Sequence, residues 1–339
     1  MEINMKFSQL LYLPVWFLRN VVLRKHGPLQ TVLFITDYCN LKCKHCFEMG
    51  HACTMQKSYE KIKEELEYSY RLGSRFVDFE GGEPTLWRET VNRENNRNLP
   101  KEGVDGHTDH NGNPVLNIND LIALAKKIGF FSCTVTTNAQ TDFSWVNADL
   151  VWMSLDGYKE FHDKVRGEGA FERLDKNAKL FADAQKKRKA MGKKSCSLCC
   201  NMAVNNINKT SVPNVLRYVK NSPFIESIAI NFHTPYPGTE KLMLDQRTKA
   251  AVINQVIAFK KAGYPVQNSV SGLKMMKVRG FKKNCWVSNF ILTDGTRLRT
   301  CPGQMIKICD DCGFCMAGEM YCVMHLKPDT LLAGMNLRM

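Results

Sequence analysis

Three cysteines stand close together in Thr36-Asp37-Tyr38-Cys39-Asn40-Leu41-Lys42-Cys43-Lys44-His45-Cys46, a C-x3-C-x2-C spacing. Thiolates are soft ligands suited to iron–sulfur clusters or zinc. A structural zinc site closes with four protein ligands, and a fourth is not evident here. His45 directly precedes Cys46, so both holding one ion would strain the loop; Cys53 is a further candidate a few residues on. Three cysteines around a cubane leave one iron open to a small molecule. Cys39, Cys43 and Cys46 are therefore expected to hold a 4Fe–4S cluster, with His45 as a ring packed beside it.

Other chemistry-bearing groups recur at the ends of apolar runs. Phe79-Glu80-Gly81-Gly82-Glu83-Pro84 pairs two glycines, which let a backbone approach a ligand closely, with Glu83, a carboxylate able to meet an ammonium group. Thr136-Thr137-Asn138 ends another run, and Ser154-Leu155-Asp156-Gly157 a third, offering a hydroxyl and a carboxylate to sugar hydroxyls. His162 and Arg166 follow in H-D-K-V-R-G, and Asn201, Asn205 and His233 lie at later run ends. A second group of cysteines fills the C-terminal region: Cys285, Cys301, Cys309, Cys312, Cys315 and Cys322. Cys301, Cys309, Cys312 and Cys315 are the closest set in sequence; Cys285 and Cys322 are the alternatives. They point to a second 4Fe–4S cluster, or to zinc.

These groups need a scaffold that brings strand ends together. Apolar runs at Thr31–Ile35, Arg75–Phe79, Phe131–Thr136, Leu150–Leu155, Leu198–Val204 and Ile228–Asn231 read as buried strands, without alternation, as in a sheet covered on both faces or a barrel. Helical patterns lie between them. One has Tyr59, Ile62, Leu66 and Tyr70 on one face, with Ser58 as N-cap and Gly73 as stop. Another runs from Ile118 to Ile128 and stops at Gly129; 171–189, 212–220 and 248–261 are further helices. Strands alternating with helices imply parallel βα units, and about six such units make an open rather than a closed barrel. The expected architecture is α/β: an amphipathic helix over 1–28, a partial parallel β/α barrel over 29–265 with a polar loop at 88–117, and a small Cys-rich extension over 266–339. Its C-terminal strand ends form the mouth where a ligand binds. Within the extension, Trp286 to Thr300 reads as a hairpin turning at Asp294-Gly295.

The cysteine spacing, with an aromatic before its last cysteine, and the later motifs in order resemble the radical S-adenosylmethionine superfamily over roughly residues 30–240. That resemblance implies a 4Fe–4S cluster that cleaves S-adenosylmethionine reductively, drawing an electron from a reductant such as flavodoxin or ferredoxin. It yields a 5′-deoxyadenosyl radical that abstracts hydrogen from a substrate or adds to it. It also implies that Gly81, Gly82, Glu83 and Pro84 hold the methionine amino group, and that Arg166 meets the cofactor carboxylate. Asn138 stands in the family's T-N-G position, with Ala139 replacing the glycine, and Ser154 and Asp156 meet ribose or substrate. The C-terminal cysteines resemble the SPASM or Twitch auxiliary-cluster domains, although their later spacing departs from C-x2-C-x5-C-x3-C; many such enzymes modify peptides. The run Asn231 to Gly238 and Arg247-Thr248-Lys249 is similar to the middle region of adenosyl-hopene transferases, which implies a lipid or isoprenoid substrate.

Composition bounds the partners. Fourteen cysteines without a leader of secretory pattern suit metal ligation in a reducing cytoplasm rather than a disulfide scaffold. Cys133, inside an apolar run, reads either as a buried small hydrophobe or as a ligand. The net charge of +14 fits nucleic acid, an anionic membrane or an acidic partner; no basic stretch interleaved with aromatics supports nucleic acid. The apolar stretch from Leu10 to Leu23 is shorter than the roughly 20 residues a membrane span needs. It suits either an interfacial helix, making the protein peripheral at the inner face of the membrane, or a helix packed on the protein's own body. A non-catalytic iron–sulfur or zinc protein would account for the cysteines but not for the strand-end loops.

Overall fold

The computed structural model describes residues 7–46, 55–91 and 99–336; Cys53 lies outside them. Helix α1 (Phe7–Phe17) continues into a π-helical turn (Leu18–Val22) and leads to β1 (Gln30–Thr36). There follow α2 (Tyr59–Leu72), β2 (Phe76–Gly81), the short β3 (Glu89–Thr90) and β4 (Val115–Leu116), α3 (Ile118–Ile128), β5 (Ser132–Thr137) and β6 (Leu150–Ser154). Next come α4 (Glu160–Arg166), α5 (Ala170–Ala190), β7 (Ser197–Val204), α6 (Val212–Asn221), β8 (Ser227–Phe232) and α7 (Gln246–Lys261). The C-terminal region supplies α8 (Val270–Met275), β9 (Ser288–Ile291), β10 (Arg297–Leu298), α9 (Cys315–Met324) and α10 (Pro328–Asn336).

Local chemistry sets the helix limits. Ser58 accepts a hydrogen bond from the Lys61 N–H at the start of α2, and Gly73, at φ 110°, ends it in the left-handed region. Asn117 and Asp120 form a reciprocal capping box on α3.

The main sheet runs β10-β9-β1-β2-β5-β6-β7-β8. Every neighbouring pair is parallel except β10 with β9. The six successive strands β1, β2, β5, β6, β7 and β8 coincide with the six apolar runs, and the sheet is open, as expected. Three features differ from the sequence reading. The stretch 88–117 is not only a loop, because β3 and β4 pair antiparallel at its base. The C-terminal hairpin is not separate from the barrel, because β9 adds in parallel to β1. The third difference concerns the strands' two faces.

Those faces are unlike each other. One carries Leu33, Ile35, Val77, Phe79, Cys133, Val135, Val151, Met153, Leu198, Cys200, Ile228 and Ile230, which merge with helix residues such as Ile62, Leu66, Leu121, Val215 and Ile253 into one buried core. The intervening residues face the concave side, and many are polar: Asp78, Glu80, Thr134, Thr136, Asn201 and Asn231. The Asn231 amide donates to Asn201 Oδ1 at 2.7 Å across this face. The strands therefore do alternate, apolar outward against the helices and polar inward.

The C-terminal segment bridges the open side. At one edge β9 pairs with β1. At the other, the Phe232 N–H donates to the Gly313 carbonyl at 2.8 Å, and the Gly313 N–H donates to Thr234 Oγ1 at 3.0 Å. The cysteines from 285 to 312 thus lie along the gap between the first and last strands of the barrel.

Candidate active site

The C-terminal ends of β1, β2, β5 and β6 deliver the cysteine loop and the three following motifs to one rim. Gly82 N–H donates to the Thr36 carbonyl at 2.7 Å, and Glu83 N–H to that of Tyr38 at 2.8 Å. A side chain at Gly81, whose φ is 146°, would collide with the Thr36 carbonyl, and one at Gly82 with the carbonyls of Asp37 and Tyr38. The glycine pair is therefore demanded first by the cysteine-loop backbone lying directly upon it.

Cys39, Cys43 and Cys46 lie on that loop as thiols not joined in disulfides. Donors are turned toward two of the sulfurs. Cys39 Sγ accepts from the Leu41 N–H at 3.4 Å and from the Asn138 amide at 3.6 Å; Cys43 Sγ accepts from an Arg166 guanidinium N–H at 3.8 Å. Burial pushes both thiols up; Arg166 opposes this at Cys43, and the Leu41 and Asn138 bonds oppose it at Cys39. Among the described residues, no three His, Cys, Asp or Glu side chains close around a single-ion position.

Glu83 is buried, and its carboxylate is already engaged. It accepts from the Thr85 hydroxyl (2.6 Å) and N–H (3.2 Å), the Thr137 hydroxyl (2.8 Å) and the Asn138 N–H (2.7 Å). These donors use the acceptor capacity of the group, so Glu83 pins the end of β5 to the end of β2. Pro84 is buried behind it, opening a 3-10 turn. Asn138 donates to Asn40 Oδ1 at 2.8 Å as well as toward Cys39. Ala139 adopts φ 57°, the left-handed conformation that a glycine takes without strain.

A buried ionic group ties β6 to the cysteine loop. Asp156 Oδ2 accepts from Arg166 Nε at 2.6 Å and lies 3.5 Å from His45 Nε2, while Oδ1 accepts from the Ala203 N–H at 2.7 Å. Burial alone would raise the Asp156 carboxyl, but Arg166, then His45 and the Ala203 bond, hold it down to about 2. Burial lowers His45 to about 4 and His162 to about 3, so both rings are neutral. His162 Nδ1 accepts from the Asp156 N–H at 3.1 Å, and its Nε2 is buried without a partner. Ser154 is half-buried on the concave face.

The other polar residues at strand ends serve their own loops. Asn205 Oδ1 accepts from the Ile207 and Asn208 N–H groups, and His233 Nε2 meets Thr239 at 3.0 Å.

Sequence reasoning missed Asp78 and Glu80, paired on the concave face of β2. Burial raises both carboxyls, and the neighbouring Asp78 raises Glu80 further, so the pair retains a proton that ordinary carboxylates release. The alternation in Phe76-Val77-Asp78-Phe79-Glu80 was the available signal.

In the C-terminal region the Cys285 thiol is hydrogen-bonded to Cys301, with Cys309 and Cys312 in the same electrostatic neighbourhood. Cys315 is buried near Cys312 and Glu319, and its N–H donates to Asn231 Oδ1 at 2.8 Å. Cys322 lies deeper in α9, beside Thr330 and Glu319. Burial pushes the Tyr236 phenol up, and so do Cys301, Cys312, Glu80 and Cys46 around it. Both cysteine groups therefore face the same concave space. Cys133, Cys196 and Cys200 belong to the hydrophobic core.

Comparison with known proteins bears on the family and the fold. Residues 33–192 match the family profile described as the Radical SAM superfamily. The chain is 28% identical over 147 residues to Fe-coproporphyrin III synthase of Methanosarcina barkeri, a match covering 41% of this chain and 30% of that protein. In fold it is similar to SuiB of Streptococcus suis bound to S-adenosylmethionine, with TM-score 0.59 and 17% identity over 89% of this chain and 68% of that one. SuiB bound to its precursor peptide SuiA gives 0.58 and 15%, over 88% and 65%. Native anSMEcpe with bound AdoMet gives 0.53 and 19%, over 80% and 73%. The chain thus spans under a third of the curated relative and about two thirds of SuiB. Residues 33–192, a little under half of the chain, thus form a radical SAM domain.

Proposed function

We propose that this protein is an enzyme that cleaves S-adenosylmethionine reductively and uses the radical on a polar substrate of the peptide class. The observation that carries the first part is the loop of Cys39, Cys43 and Cys46, held at the strand ends by Gly81 and Gly82 and supplied with N–H donors at its sulfurs. An all-thiolate donor set with hydrogen bonds to sulfur fits a 4Fe–4S cluster. Held by Cys39, Cys43 and Cys46, such a cluster would supply one-electron reduction of the sulfonium group, with cleavage of its C–S bond, the electron coming from an external reductant.

The chain's own residues supply position and exclusion of water. Arg166 places a fixed positive charge between Asp156 and Cys43, which suits an anionic cluster and a cofactor carboxylate. Because the Glu83 carboxylate is occupied, the peptide carbonyls of the glycine turn are better placed than Glu83 to receive the cofactor's ammonium group. Asn138 holds the cysteine loop, and Ser154 offers its hydroxyl toward the sugar. Cys285, Cys301, Cys309 and Cys312 would hold an auxiliary cluster across the open side of the barrel. This set takes Cys285 in place of Cys315.

The substrate class rests on the concave face. Asp78, Glu80, Thr134, Thr136, Asn201 and Asn231 line it with hydrogen-bonding groups, which suits amides, hydroxyls or cationic side chains better than an isoprenoid chain. The fold shared with SuiB, solved with a precursor peptide, supports the same reading. The lipid reading drew on the resemblance of Asn231 to Gly238 and Arg247 to Lys249 to adenosyl-hopene transferases and on the N-terminal helix, and that helix lies at the opposite end of the strands.

Anaerobic reconstitution with iron and sulfide, then dithionite and S-adenosylmethionine, tests the activity. The expected result is 5′-deoxyadenosine from the native protein and none from Cys43→Ala. A fully loaded native protein that leaves the cofactor intact would overturn the reading.

A further inference from the structure

The N-terminal helix has two apolar faces, and only one is used by the protein itself. Trp16, 6% exposed, packs with Leu29, Phe76 and Val287, and its indole N–H donates to the Pro28 carbonyl at 3.2 Å. Tyr12 donates to the Gly73 carbonyl at 2.5 Å, and buried Asn20 accepts from the Gly27 N–H at 2.7 Å. On the other side, Leu11, Val15, Leu18, Val22 and Leu23 are 54%, 61%, 55%, 57% and 61% exposed. The first four recur at intervals of four, three and four, which keeps them on one helical face. Five large aliphatic side chains in one exposed row mark an interaction surface.

Charge selects the occupant. Arg19, Arg24 and Lys25 are exposed beside the row, and no Asp or Glu occurs from position 3 to 36. Apolar side chains flanked only by cations are complementary to the hydrocarbon boundary and anionic headgroups of a bilayer. Among the described residues no helix is long and apolar enough to cross a membrane, so the contact would be peripheral.

Position gives the contact its meaning. The body face of α1 touches Leu29 before β1, Phe76 at the start of β2, Phe131 before β5 and Val287 before β9. All four lie at the N-terminal ends of strands. The cysteine loop follows the C-terminal end of β1, a seven-residue strand that spans about 23 Å. The apolar row and the active-site mouth are at opposite ends of the barrel.

We infer that the Leu11–Val15–Leu18–Val22–Leu23 face, with Arg19, Arg24 and Lys25, docks the protein on an anionic lipid surface with its active-site mouth turned away from the bilayer. The contact is an anchor rather than a substrate entrance, and it stands whether or not the proposed radical chemistry does.

The test uses the iron-loaded full chain, anaerobically, with vesicles of phosphatidylcholine alone or containing phosphatidylglycerol. The native protein is expected to sediment with the anionic vesicles and to be released by salt. Leu11→Gln/Val15→Gln/Leu18→Gln/Val22→Gln, and separately Arg19→Glu/Arg24→Glu/Lys25→Glu, should each weaken binding by about 100-fold or more. Both should keep the native circular dichroism and iron content, because these side chains are exposed. Vesicles should slow hydrogen exchange in 11–25 and leave 37–46 and 154–169 unchanged. Three results would overturn the inference: no vesicle binding by the native chain, slowed exchange at the mouth segments, or a dimer that the apolar variant dissociates in place of vesicle binding.

Discussion

Arg166 and Asp156 form a buried ion pair at 2.6 Å, and the same guanidinium reaches Cys43 Sγ at 3.8 Å. One side chain thus joins the β6 loop to the cysteine loop. Removing one partner strands a buried charge, so Arg166→Gln should cost about 3–5 kcal/mol in urea unfolding. The pair also predicts an acid limb. Asp156 is held below its unfolded value, so its contribution is present above about pH 4 and is lost as pH falls toward 2. In Arg166→Gln the native Asp156 value rises, which should shrink the stability lost across that range. An unchanged acid limb would show that Arg166 does not hold the carboxylate.

The cysteine loop rests on Gly81 and Gly82 without room for a methyl group. Gly82→Ala should therefore displace Asp37 and Tyr38 and cut iron loading sharply, leaving the circular dichroism close to native. Gly238, at φ 85° with open space around it, is the control. Gly238→Ala strains only its own backbone, at about 1 kcal/mol, and should load iron normally. Equal loading by both variants would remove the steric argument.

Glu80 retains a proton in the folded state because it is buried beside Asp78. The unfolded chain gives that proton up near the ordinary Glu value of about 4.3. Unfolding therefore releases protons above that value, and this group's effect on stability worsens as pH rises. Glu80→Gln removes the penalty. Its stability advantage over the native chain should be small at pH 5 and clearly larger at pH 8.5, measured by denaturant unfolding at both values. A pH-independent difference would mean that Glu80 ionises normally.

The parts legible in the sequence were those written locally. Six strands, the α2 and α3 stops at Gly73 and Gly129, and the Asp294-Gly295 turn each follow from neighbouring residues. The roles of Glu83 and Asn138 were not local, because their partners arrive from two other loops; a carboxylate after two glycines looks free until Thr137 and Asn138 are seen to occupy it. The same holds for β9, whose Asn289 side-chain Oδ1 accepts from the Thr31 hydroxyl across 258 positions at 2.7 Å. Asp78 and Glu80 were legible but overlooked, since the strands were read as wholly buried when one face of each lines a polar space.

The auxiliary cysteines give the sharpest contrast between spacing and space. Adjacency groups Cys301, Cys309, Cys312 and Cys315, yet the Cys285 thiol is hydrogen-bonded to Cys301, while Cys315 begins α9 with its N–H fixed to Asn231. The parallel pairing of β9 with β1 explains the difference, because it places Cys285 at the sheet edge where the hairpin returns Cys301 to it. Loss of any ligand of a four-cysteine site should remove about four irons per chain. Cys285→Ala, Cys301→Ala, Cys309→Ala and Cys312→Ala are each expected to do so, while Cys322→Ala keeps its iron. Cys315→Ala should also keep it, with a modest stability loss of about 1 kcal/mol from the truncated buried side chain. Iron and sulfide analysis of the purified variants decides between the two sets: full iron in Cys285→Ala together with loss in Cys315→Ala would restore the set chosen by adjacency.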